Sequence, residues 1–95
     1  MVHLTNDMIR RAVLAQNSGF DTHDVIGWLI ANEGRAFILQ LYHYNRGQVS
    51  FFDQCHMQIG QSIATLKDLV VRNGDVESRN ILGNLDTVAR WERLP

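Results

Sequence analysis

One line of apolar residues constrains this chain more than any other feature: Phe52, Cys55, Ile59, Ile63 and Leu66 recur at helical spacing. Ser50 and Asp53 stand at its start as an S-x-x-D relative of a capping box. The serine side chain there reaches an early backbone amide, and the acid favours the positive helix end. A helix over 50–66 is therefore expected. Gln54, Gln58, Gln61 and Thr65 fall on another face of it, so the helix presents an uncharged polar stripe. After it, Leu69-Val70-Val71 is short and β-branched and predicts a strand, and Asn73-Gly74 predicts the turn that follows. Residues 73–86 are rich in Asn, Gly, Ser and Asp around an apolar island, Ile81-Leu82, before Val88 and Trp91 resume the pattern in Thr87 to Leu94. That last stretch reads as a returning strand or as a helix capped by Asp86. The strand is favoured, because pairing with 69–72 covers an otherwise open edge.

The preceding half reads as shorter helices. Thr5 or Asn6 caps a first one running to about Gln16, with Met8, Ala12 and Ala15 in line, Ile9 and Val13 beside them, and Gly19 as the stop. Asp21 or Thr22 opens the next, where Val25, Ile26, Leu29 and Ile30 form a stripe that Trp28 widens. Asn32-Glu33-Gly34 interrupts it, and Phe37, Ile38, Leu41 and Tyr44 begin another stripe that Asn45-Arg46-Gly47 ends. Two short helices fit this pattern, with one kinked helix over 22–45 as the alternative.

A chain of 95 residues accommodates one core and one domain. Its 45% hydrophobic and 20% charged residues suit an ordered globule. Nine Lys and Arg against ten Asp and Glu leave a net charge of −1, so affinity for nucleic acid would have to come from a local basic patch. Cys55 is the single cysteine, which excludes an intramolecular disulfide and suits a reducing compartment. The apolar runs Phe37 to Leu39 and Leu69 to Val71 are too short to span a bilayer, and no signal-peptide core precedes Asn6 and Asp7. A soluble cytoplasmic protein is expected.

Residues 22–94, behind an N-terminal helix over about 5–17, resemble the winged helix-turn-helix superfamily. Two segments carry the resemblance: His56 to Leu66, similar to a recognition helix with a small Gly60 facing its neighbour, and Val88 to Leu94, similar to a closing wing strand. It implies a mainly α fold with a small β-hairpin, an all-α helical bundle being the alternative. It also implies a non-enzymatic DNA-binding protein, a transcriptional regulator acting alone or as a homodimer. Gln54, Gln58, Gln61 and Thr65 would face the bases, while Arg46, Lys67, Arg72 and Arg79 would meet phosphates and Asp53 and Asp75 would oppose them. A wing of about fourteen residues between the strands would be long. The second reading is a protein-binding adaptor or inhibitor of the same fold, which the net acidity and the lack of Lys or Arg on the helix favour.

No enzyme, metal or cofactor motif is evident. Cys55 and His56 are adjacent, so on a helix their side chains diverge by about 100°; they read as a core thiol and a surface imidazole. His3, His23 and His43 belong to no metal spacing, and Asp21 and Asp24 read as helix-capping acids. Gly74 and Gly83 lack the Lys and Ser or Thr of a phosphate loop. Trp28, Phe37, Phe51, Phe52, Tyr42, Tyr44 and Trp91 read mainly as core. Tyr42 and Tyr44 cannot share a helix face with equal burial, however, and Phe51 and Phe52 are consecutive, so some aromatic surface is expected to stay exposed as a candidate dimer or partner site.

Overall fold

Polar caps start the first two long helices where the sequence places them. In the computed structural model, which describes residues 2–44 and 51–95, Thr5 Oγ1 accepts the Met8 amide at 3.2 Å and opens α1, Asn6–Leu14. Asp21 and Asp24 each accept the other's backbone amide at 2.9 Å, a reciprocal capping box that opens α2, Thr22–Asn32. Helix α3, Gly34–His43, is separate from α2: Glu33 breaks the helical path with φ −132° and ψ 41°. The alternative of one kinked helix over 22–45 is thereby excluded, although Gly34 begins α3 rather than ending α2.

Helix α4 runs Phe51–Ala64, shorter than the expected 50–66. Thr65 and Leu66 bond back to Ser62 and Ile63, three residues away, so the last turn tightens and the chain leaves the helix. The proposed Ser50 cap and the Asn45-Arg46-Gly47 stop lie outside the described residues. Among the described residues no helix is long and apolar enough to cross a membrane.

The whole apolar line of α4, Phe52, Cys55, Ile59, Ile63 and Leu66, is buried. Cys55, Ile59, Ile63 and Leu66 share one core cluster with Ile9, Ala12 and Val13 of α1, Val25, Ile26 and Leu29 of α2, and Phe37 of α3. Truncating Ile59 or Ile63 to Ala would cost about 2–5 kcal/mol on ordinary grounds. Helix α3 buries less than its stripe suggests: Ile38 is exposed, and Leu41 and Tyr44 are only partly covered. Its inward neighbour of Phe37 is instead Gln40, fully buried, whose Oε1 accepts the His3 and Leu4 amides at 2.7 and 3.1 Å. Those bonds satisfy the buried Leu4 amide and the half-buried His3 amide and hold Leu4 in the core.

Three antiparallel strands complete the fold: β1 (Gly19–Asp21), β2 (Val70–Arg79) and β3 (Leu85–Arg93), in the order β1-β3-β2. Their presence excludes the all-α bundle and makes the final stretch a strand rather than a helix capped by Asp86. Strand β1, which the sequence reading lacked, pairs Phe20 with Trp91.

The expected turn at Asn73-Gly74 is also corrected. The β2–β3 ladder continues through it, with one extra residue absorbed between Arg72, opposite Trp91, and Asp75, opposite Ala89. Gly74, at φ +73°, supplies the left-handed residue that such a bulge needs. The chain reverses later, over 80–84, where Asn80 Oδ1 accepts the Leu82 and Asn84 amides and Gly83 adopts φ +83°. The fourteen-residue loop is thus mostly strand.

Candidate functional site

Helix α4 and the β2–β3 hairpin flank a cleft of about 540 Å³. Asp53, Met57, Gln61 and Ala64 form its helical wall, Arg72, Asp86 and Thr87 its hairpin wall, and Thr22 and Trp91 lie beneath. The floor is fixed by hydrogen bonds: Trp91 Nε1 donates to Thr22 Oγ1 at 3.1 Å, and that hydroxyl donates to the Ala89 carbonyl at 3.4 Å. Gly60 faces Thr22, and a Cβ there would meet its methyl at 3.9 Å, an ordinary contact. Closeness to α2 does not therefore require a glycine at this position.

The sequence-derived site residues are only partly brought together. Gln61 is exposed and lines the cleft, as does Arg72. Gln54 and Gln58 are half-buried, and Thr65 is exposed with its hydroxyl donating to the Ser62 carbonyl at 2.7 Å. These three, with Lys67 and Arg79, lie outside the cleft lining. The Arg72 guanidinium pairs with Asp75 at 2.5 Å, and Arg79 donates to the Gly83 carbonyl at 2.7 Å. Arg46 lies outside the described residues. The basic edge of α1 is paired as well, Arg10 with Asp68 and Arg11 with Asp7 and Glu33. Within the cleft, Asp53 and Asp86 face a single arginine already held by an acid.

His56 corrects a sequence-based expectation. It is not a surface imidazole: it is 9% exposed and lies against His23, also 9% exposed, with ring centroids 4.5 Å apart and planes at 77°. Burial pushes the His56 pKa down, and the neighbouring His23 pushes it the same way, against a smaller opposing pull from Asp86, Asp53 and Asp21. Asp86 completes a cluster in which one ligand atom from each residue lies within 4.8 Å of the others. No local spacing in the sequence announces this group, because α2, α4 and β3 each supply one member. Cys55 is the core thiol expected, with burial raising its pKa to about 11.

Comparisons with protein-family models, with curated proteins and with solved structures return no match for this chain. Its functional reading rests on its own architecture and on the surfaces just described.

Proposed function

We propose that the chain is a non-enzymatic winged helix-turn-helix protein that binds DNA as a cytoplasmic transcriptional regulator. The observation that carries this reading is topological. Helix α4 leads into a long β2–β3 hairpin whose second strand lies between β1 and β2, and the helix and hairpin share one open cleft. In this arrangement α4 would enter the major groove with Gln61 foremost, Thr65 at its end and Gln54 and Gln58 behind. Arg72 and Arg79 on β2 and Lys67 beyond the helix would hold the backbone, Arg72 after exchanging Asp75 for a phosphate. The exposed face of α3, with Ile38 and Tyr42, would serve as the surface on which two copies pair.

Fluorescence anisotropy of a labelled genomic DNA pool tests this reading. Binding should weaken with added salt, and Arg79→Gln should weaken all sequences and reduce the salt slope by about one. Gln61→Ala should instead shift which sequences are retained in a binding selection. Absence of binding at low salt refutes the proposal.

A second reading, a protein-binding adaptor, is favoured by one specific observation. Helix α4 carries no Lys or Arg, and the arginine beside it is already paired with Asp75. On this reading Gln61→Ala or Tyr42→Ser reduces capture of a protein partner, and DNA affinity is absent.

A further inference from the structure

We propose that His23, His56 and Asp86 form a three-ligand site for one divalent transition-metal ion of the zinc class, with Ser78 orienting His23. The donors come from three elements. His23 is the second residue of α2, His56 lies midway along α4, and Asp86 is on β3 directly opposite Ser78 of β2 in the antiparallel ladder.

The geometry is that of a preassembled but open site. The three ligand atoms lie within 4.8 Å of one another. Tetrahedral coordination at about 2.0–2.1 Å separates ligand atoms by about 3.3 Å, so the required contraction is at most about 1.5 Å. Asp86 is exposed and close to the 80–84 turn, and its Oδ1 accepts the adjacent, exposed Thr87 amide at 3.0 Å, so it is the ligand best placed to supply that movement. The two imidazoles are already in ring contact and held by the surrounding core.

An independent observation points to a ligand. His23 Nε2 and both ring nitrogens of His56 are buried without a hydrogen-bond partner among the described residues. A buried polar atom left unpaired is costly, and three of them in one place need an explanation. His23 Nδ1 is bonded to Ser78 Oγ. With the Nδ1 proton donated to that hydroxyl, Nε2 keeps its lone pair for a metal, the usual way in which an outer partner sets the tautomer of a ligating histidine.

The donor set also restricts the ion. Two imidazole nitrogens and one carboxylate suit zinc and its neighbours, whereas magnesium and calcium prefer all-oxygen shells. His56 and Asp86 both line the cleft, so the fourth position would open onto it and take water or a donor from a partner. Bound metal would tie the hairpin to α2 and α4. This inference stands whether the cleft serves DNA or protein.

The test uses the full chain, stripped with chelator, dialysed, and titrated calorimetrically with zinc chloride, with cobalt(II) absorption as a second probe. One equivalent should bind, cobalt should give the intense visible bands of a four-coordinate complex, and the Tm should rise with added zinc. Asp86→Asn, which changes an exposed side chain without altering its size, should weaken binding at least tenfold. Ser78→Ala should weaken it about 10–100-fold. His56→Gln should abolish it, while His43→Gln, on the exposed end of α3, should leave it unchanged. If His56→Gln fails to fold, the Asp86 and Ser78 variants decide. No saturable binding, or binding that Asp86→Asn leaves intact, overturns the proposal.

Discussion

Replacing Thr22 by Val tests how the sheet is fastened to the helices. The two side chains are nearly isosteric, so the change removes a hydroxyl and little else. In the native protein that hydroxyl accepts from Trp91 Nε1 at 3.1 Å, with Thr22 2% and Trp91 4% exposed. The valine variant leaves the indole N–H buried with no partner, which costs about 1–3 kcal/mol. The bond from Thr22 to the Ala89 carbonyl is long, 3.4 Å, and its loss adds little. A central figure of about 2 kcal/mol lowers the folding equilibrium constant roughly 30-fold. For a domain of this length it lowers Tm by about 8–16 °C. Trp91→Phe removes the donor instead, and the double variant should be less destabilised than the two single changes together, by about 1 kcal/mol. Guanidinium denaturation followed by circular dichroism measures all four proteins. A Thr22→Val change within about 0.5 kcal/mol of the parent, or an additive cycle, refutes the argument.

Four further outcomes follow from single sites. Cys55, buried and with its pKa raised to about 11, should react with a thiol reagent at pH 8 only after denaturant unfolds the chain; rapid native labelling contradicts this. Gly83→Ala should destabilise by about 1–2 kcal/mol, since its positive φ strains any L side chain. Gly27→Ala on the exposed face of α2 should stabilise by about 0.5–1 kcal/mol, since a Cβ there meets nothing within 4 Å. Thermal unfolding reads both signs. The hydrogen bond and charge of Arg10 hold the Asp68 carboxyl below its ordinary pKa. Its contribution to stability is therefore complete above the ordinary carboxylate range and lost as pH falls through the lowered value. Asp68→Asn should flatten part of the acid limb of a stability–pH curve, less so in high salt.

Local signals made much of the fold legible. Of the paired candidates, Thr5 rather than Asn6 and Asp21 rather than Thr22 cap the first two helices, and every apolar residue on the α4 line is buried. Both facts depend on neighbours within a few residues. What escaped depends on distant ones. Strand β1 exists because Phe20 pairs with Trp91, 71 positions later, and three residues carry no periodicity of their own. Gln40 reads as a polar break in an apolar stripe until the Leu4 amide is placed beside it. Asn73-Gly74 has turn chemistry, but Gly74 uses it for a bulge, while Asn80 supplies the reversal through its side chain. The histidine cluster is the extreme case, with each member on a different element. The polar stripe was legible as a pattern, but the half-burial of Gln54 and Gln58 required the packing of α4 against its neighbours.

Among the described residues, the strand order β1-β3-β2 leaves the outer side of a ten-residue strand without a ladder partner. A row of free amides and carbonyls of that length is a template on which a second chain can zip. Here the template is spoiled in two ways. The bulge at Gly74 twists it out of register with a straight strand, and Arg72, Asp75, Glu77 and Arg79 crowd it with charge of both signs. Arginines read as contacts for a partner thus also guard the molecule against its own copies, and neutralising them would be expected to cost solubility before it cost anything else.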